Sequence, residues 1–243
     1  MSPATAIRDI AASASRWLAV GGVGTGSVFS STDKLEWTEM PFPFGECKAT
    51  ICSADKFYIA VDGEGIYKLD VDTWVLDYAS AQTFTNGVDA NGIPIFATAD
   101  GYLLTGPTWT SKKVSDGELR VACNSKLVVA SLVGETLETF VGTTAQNLVS
   151  EGTSTLDGLS VFALYADTKG GMLGTCKMNE DSPVLYVRKG TRWLFVFSNL
   201  PAPITHAVTN AVASGKQIYT TTNYLNYTPY HAVDKDITAL LYA

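Results

Sequence analysis

Apolar and β-branched residues along this chain fall in short runs broken every few positions by Gly, Asp, Asn or Ser, the pattern of strands joined by turns. No stretch requires a helix. Residues 16–40, RWLAVGGVGTGSVFSSTDKLEWTEM, show the pattern most clearly: an apolar strand at 17–20, a glycine-rich turn at 21–26, a second strand at 27–30, a polar turn at 31–34 and a third strand opened by Trp37. The motif recurs in degraded form. With the LAV strand at 18–20 as marker, comparable strands stand at 58–61, 95–98, 127–130, 172–176 and 218–221, which makes six units. Their spacing, from the low thirties to the mid forties, brackets the roughly 40 to 45 residues that four strands and their turns occupy in one blade of a β-propeller.

Each unit opens on a strand of small and β-branched residues, at 7–12, 48–53, 87–92, 119–123, 160–164 and 205–208. Small side chains suit strands that crowd at the narrow end of a wedge-shaped blade. After the marker strand come Gly22-Val23-Gly24, Asp62-Gly63 and Asp100-Gly101, which supply the positive φ of short hairpin turns. Third strands are predicted at 27–30, 66–69, 102–105, 137–141, 184–187 and 229–233. Trp37, Trp74, Trp109 and Trp193 open four of the six fourth strands, where the gap between neighbouring blades is widest and a ring buries roughly 150 to 250 Å². The last unit ends on ITALLYA, 237–243, as its own fourth strand. The sequence thus predicts an all-β fold: one six-bladed β-propeller, four antiparallel strands per blade, as a single domain over residues 1–243.

Composition narrows function more than fold. Only 17% of residues are charged, against roughly 25% in an average soluble protein, which leaves a surface rich in Ser, Thr, Asn and Gly. The net charge of −7 comes with no block of Lys or Arg, so the footprint of a nucleic-acid binder is missing. No apolar run approaches the roughly 18 residues of a membrane span, and membrane insertion is not expected. The first ten residues lack the basic start and apolar stretch of an export signal. Cys47, Cys52, Cys123 and Cys176 show no CxxC or Cys/His spacing and are expected as buried thiols, the first two on opposite faces because they lie five apart on one strand. No metal and no cofactor is expected: Asp70-Val71-Asp72 and Asp234-Lys235-Asp236 lack the partners of a calcium loop, and GGVGTG at 21–26 is out of GxGxxG register and precedes a strand.

Residues 30–40, SSTDKLEWTEM, resemble the Asp-box turn of bacterial sialidase-type propellers, and more closely its variant in phage and environmental proteins. Ser31, Asp33 and Trp37 match, while Lys34 stands where the pattern has glycine; KGTRW at 189–193 is a weaker echo without the aspartate. The resemblance implies a structural turn, its Ser and Asp capping backbone groups between third and fourth strands, and it carries no activity. Sialidases of that type use an arginine cluster, a tyrosine nucleophile and an acidic partner. Here Arg8, Arg16, Arg120, Arg188 and Arg192 are the whole arginine supply, no Phe/Tyr-Arg-Ile-Pro segment occurs, and His206 and His231 sit in no nucleophile motif. The chain is expected not to be an enzyme.

Two loops carry aromatics. TNYLNYTPY at 222–230 holds three tyrosines, and Phe42 and Phe44 alternate with prolines. Such rings stack on sugars or anchor interfaces, with packing of the loops back onto the blades as an equal alternative. Phe42, Phe44, Tyr224 and Tyr227 are the candidate binding residues, on the face that gathers the second-to-third-strand turns and the connections between units. The opposite face, with the 31–34 turn, is expected to have little exposed aromatic surface. The expectation is a structural component of a phage virion, of its tail, made in the host cytoplasm, with other virion proteins or further copies of the chain as partners. A lectin-like propeller that binds a host-surface glycan or receptor is the alternative, and a sialidase-type glycosidase a more distant one.

Overall fold

The structure, a computed structural model, describes residues 7–123, 125–155, 164–166, 172–179, 182–189, 191–197, 200, 204–208, 211–221 and 226–232. Strands pair strictly in chain order, each sheet an antiparallel meander. The first sheet is β1 (Ile7–Ala12), β2 (Trp17–Val23), β3 (Thr25–Ser31) and β4 (Thr38–Met40); the second is β5 (Cys47–Ser53), β6 (Lys56–Val61), β7 (Gly65–Asp70) and β8 (Thr73–Ala79). The third is β9 (Phe84–Asp89), β10 (Pro94–Thr98), β11 (Tyr102–Thr105) and β12 (Thr110–Lys113), and the fourth β13 (Glu118–Cys123), β14 (Leu127–Val133), β15 (Thr136–Gly142) and β16 (Val149–Thr155). The fifth is β17 (Tyr165–Ala166), β18 (Met172–Asn179), β19 (Ser182–Lys189) and β20 (Arg192–Phe197), and the last β21 (Ile204–Val208), β22 (Ala211–Ser214), β23 (Gln217–Thr220) and β24 (Thr228–Ala232).

The four-stranded blade is as predicted, but the count of six blades is corrected. Among the described residues five sheets are full blades whose first strand has five residues or more. In the remaining one the described part of the first strand is β17, Tyr165 and Ala166 paired with Leu173 and Met172, and residues 160–163 of the strand predicted at 160–164 lie outside the described residues. The last sheet also departs from the prediction. Ala211–Ser214, four small residues that look like a loop, is its second strand, so the predicted marker at 218–221 is in fact the third and the predicted third the fourth. Residues 237–243 lie outside the described residues. Contacts gather the chain into two compact units, Met1–Leu119 and Arg120–Ala243.

In the first unit Leu18, Val20 and Val28 of the first sheet pack with Phe57, Ile59, Val61 and Trp74 of the second. Ala49, Ile51 and Tyr58 pack with Phe84, Phe96 and Leu104 of the third. In the second unit Val128, Ala130 and Leu137 meet Trp193 of the next sheet. Trp74, Trp109 and Trp193 each lean onto the sheet before their own, which is why a large aromatic recurs at the start of the fourth strand. Trp109 Nε1 donates to Asp77 Oδ2 at 2.6 Å and Trp193 Nε1 to Thr139 Oγ1 at 2.8 Å. Trp37 differs: it is half-buried, and its Nε1 turns back to Lys34 O at 3.1 Å.

First strands share an irregularity that the alternation of residues conceals. Their pairing skips Arg8 in β1, Lys48 in β5, Thr85 in β9 and Thr205 in β21, a bulge at the same place in each strand. A bulge resets which face the following residues occupy. Cys47 and Cys52, expected on opposite faces, therefore pack against the same cluster, both as free thiols. β9 also begins three residues earlier than predicted, because Asn91 and Gly92, at φ +56° and +83°, are a hairpin turn rather than strand.

Candidate interaction surface

The structure draws the predicted aromatic residues inward. Phe42 is 9% exposed, with its ring edge-on to Phe44, Tyr67 and Trp74 at centroid separations of 5.1, 5.8 and 5.5 Å. Phe44 is half-buried and stacks on Tyr67 at 4.1 Å. Tyr227 is 4% exposed, and Tyr224 lies outside the described residues. Phe42 and Tyr227 therefore belong to the core, whereas Tyr230 of the second aromatic loop is 74% exposed. The whole connection between β4 and β5 is pinned. Gly45 N donates to Glu64 Oε1 at 2.9 Å and Tyr67 Oη to Glu64 Oε2 at 2.7 Å, and Gly26 N donates to Phe44 O at 3.0 Å. Burial, then the Glu64 carboxylate, push the Tyr67 phenol up to about 12.

The glycine-rich stretch is also not an open loop. β2 and β3 pair through it, Gly21 with Ser27, Gly22 with Gly26 and Val23 with Thr25. A Cβ on Gly26 would stand 2.6 Å from the Phe42 ring and 2.5 Å from Gly45 O. What approaches this glycine closely is the chain's own connection, not a partner.

Three exposed apolar side chains of the first unit lie instead on the opposite side, and two more, Val75 and Leu76, on β8. Leu35, at the turn between β3 and β4, is 84% exposed, and Val71, at the turn between β7 and β8, is 85% exposed. Ile93, between β9 and β10, is exposed on the same side, whereas the second-to-third-strand turns of this unit contribute Val23. The first of these turns is braced by its own hydrogen bonds. Ser31 Oγ accepts from Lys34 N at 2.8 Å, Asp33 Oδ1 accepts from Leu35 N and Glu36 N at 2.9 Å each, and Ser31 Oγ donates to Asp33 Oδ1 at 3.0 Å. These bonds, Glu36 N first and then Leu35 N and Ser31 Oγ, hold the Asp33 carboxyl below its ordinary value. Lys34, in the position where the resembling motif has glycine, sits at φ +69° with its ammonium over the Trp17 ring at 4.4 Å. Val71 opens the two-residue β7–β8 turn at φ +58°, the position where such turns favour glycine.

Arg16 joins the two turns. Its Nη1 meets Asp72 Oδ1 at 3.2 Å, and its side chain lines an open polar depression together with Ser30, Ser31, Thr32, Asp33, Glu36 and Thr38. The Glu36 and Asp70 carboxylates enter none of the ion pairs among the described residues. The sequence implies only a structural role for this turn, and its candidate binding residues are the loop aromatics. The available signal was a bulky residue, Lys34 or Val71, at a turn position that wants glycine.

A second charged group sits at the bulges of β1 and β5. Glu46 receives both Arg8 and Lys48, the latter at 3.1 Å, and Lys48 also reaches Asp62 at 3.3 Å. The Lys48 hydrogen bond, with Arg8 behind it, holds Glu46 below its ordinary value. Beside it Asp9 bridges the first two sheets, its Oδ2 accepting from Thr50 N and its Oδ1 from Ile10 N, at 2.9 and 2.8 Å. The residue is half-buried, but its carboxyl is the enclosed part, and burial pushes it up to about 7 against the pull of the two amides. Burial likewise pushes the Cys47 thiol up to about 12. Every charge in this group is already matched, which marks it as a brace between blades. Among the described residues no group of three His, Cys, Asp or Glu could hold a metal ion, and no helix is long and apolar enough to cross a membrane.

No family model matches the sequence, and no curated protein matches it. Among solved structures, the WD40 β-propeller domain of Doa1 superposes with a TM-score of 0.67 at 11% identity, over 98% of this chain and 87% of that one. At that identity the likeness shows the fold alone. The chain has a β-propeller fold.

Proposed function

We propose that this protein is a non-enzymatic interaction module, a structural component of a phage virion that works in the tail after synthesis in the host cytoplasm. The observation that carries the reading is the exposure of Leu35, on a turn braced by side-chain-to-backbone hydrogen bonds, and of Val71, beside an Asp72 paired with Arg16. Large apolar groups held rigidly in water are what a docking surface presents. The resemblance of Ser31, Asp33 and Trp37 to the turn of phage propellers supports the virion setting, as does a polar, sparsely charged surface. Burial of Phe42 and Tyr227 leaves those two rings to the core and favours the turn tips over glycan stacking as the contact surface. The test is affinity capture with the tagged full chain, followed by mass spectrometry of purified particles. Co-purifying particle proteins, and the chain itself in the particles, are the expected result; its absence from particles would overturn the virion reading. A fluorogenic sialoside is expected to give no turnover.

A further inference from the structure

We propose that the paired turn tips of the first two sheets, centred on Leu35 and Val71, dock a segment of another protein that combines a large apolar side chain with a lysine or arginine. This rests on the interaction-module reading and gives it a site and a partner chemistry. Leu35 and Val71 offer two apolar knobs on one patch, because Arg16 pairs with Asp72, next to Val71, and lines the same depression as Asp33 and Glu36, on either side of Leu35. The two cations of the patch are already engaged, Arg16 with Asp72 and Lys34 over Trp17, whereas the Glu36 and Asp70 carboxylates enter no ion pair among the described residues. The rim left to a visitor is therefore acidic. The open depression lined by Ser30, Ser31, Thr32, Asp33, Glu36 and Thr38, with Arg16 at the side where it meets Asp72, supplies acceptors for an ammonium or guanidinium head, and the knobs beside it supply apolar contact. Complementary charge steers and registers such a contact.

Charge also selects among occupants. Nucleic acid and anionic membrane surfaces are repelled by an acidic rim on a chain of net charge −7. A second copy docking tip to tip would oppose carboxylates to carboxylates. Val71 adds an independent reason: a β-branched residue at φ +58°, 85% exposed, is unfavourable for the backbone and for hydration at once.

The experiment is selection of a random 12-residue peptide display library on the immobilised full chain, at low and at physiological salt. Enriched peptides are expected to carry Lys or Arg close to a large apolar residue. Synthetic versions are expected to bind at least tenfold more weakly to Leu35→Ser and Val71→Gly, and to Glu36→Lys and Asp70→Lys, with the circular dichroism of each variant unchanged. Val71→Gly relieves the turn and keeps the fold, so a loss there is a loss of contact. Enrichment of acidic or neutral peptides, binders indifferent to these substitutions, or no enrichment would each overturn the proposal. The outcomes separate it from the virion reading: a chain found in particles whose binders ignore the tips sinks the docking site alone, and tip-specific binders to a chain absent from particles sink the virion setting alone.

Discussion

At Val71 and Lys34 the backbone lies in the left-handed region, which costs an ordinary L-residue roughly 1 to 2 kcal/mol. Glycine removes that strain but has more freedom to lose on folding, worth roughly 0.5 to 1 kcal/mol. Val71→Gly is therefore expected to raise stability by about 1 kcal/mol, since nothing packs on an exposed valine. Lys34→Gly is expected to gain less, because the ammonium gives up the Trp17 ring, a contact of about 0.5 to 1 kcal/mol at an exposed site. Urea midpoints of the two variants decide this; equal gains would mean that the ring contact is idle. The tryptophans separate in a similar way. Trp109→Phe strips Asp77 of a short charge-assisted bond, worth about 1.5 to 3 kcal/mol, while the buried Trp74 Nε1 has no partner to lose. Three residues after Trp74 stands Asp77, the acceptor for Trp109; three after Trp37 stands Met40, whose thioether is at best a weak acceptor. Denaturant midpoints should fall further for Trp109→Phe than for Trp74→Phe, and a reversed order would refute the account. Asp9 makes stability depend on pH. Its proton is held more tightly folded than unfolded, so its contribution is full below the ordinary value of 3.8 and is lost as pH rises through about 7. Between pH 5 and 8 the protein is expected to lose about 2 to 3 kcal/mol that Asp9→Asn does not lose, measured by urea melts at each pH.

Among the elements, the β4–β5 connection decides how its aromatics are to be understood. Phe42→Ala removes a ring enclosed by Phe44, Tyr67 and Trp74, and the expected cost is about 3 to 5 kcal/mol of stability. Gly26→Ala should destabilise through the same ring, since its Cβ needs the space that Phe42 fills. Thermal melts check both; variants that melt like the parent would return Phe42 to the surface. This is also where sequence and structure part. Strands that are largely apolar runs bounded by Gly-bearing turns, β2, β6, β10 and β14, were legible because local chemistry alone determines them. So was the inward role of Trp74, Trp109 and Trp193, since period and size coincide there. β22 was not, because Ala-Val-Ala-Ser carries too little side chain to signal a strand, nor were the bulges at Arg8 and Lys48, which only cross-strand register reveals. Burial of Phe42 and Tyr227 was not legible, because a sequence shows aromatics but not whether tertiary packing has already consumed them. Leu35, between Lys34 and Glu36, gave no apolar pattern at all.

For the molecule as a whole, a rigid all-β scaffold divides its apolar groups between those fixed in cores and those left on turn tips, and hydrogen exchange reads that division directly. Amides tied into sheets and pinned connections open only through larger unfolding events, whereas exposed tips exchange through local ones. In the free chain the backbone around Phe42, Phe44 and Tyr227 is expected to be protected already, because those residues are packed into the fold. The Ser31 to Trp37 and Asp70 to Thr73 turns, short and open to water, are expected to exchange faster, the first despite its capping bonds. On adding a selected basic peptide, protection should rise at those two turns and nowhere else in the first unit. The gain should shrink with added salt, since the rim that attracts the peptide is solvent-exposed and screened over roughly 8 to 10 Å at moderate ionic strength. Protection that appears around Phe42 instead, or a gain indifferent to salt, would move the interaction back to the face from which packing has withdrawn the aromatic rings.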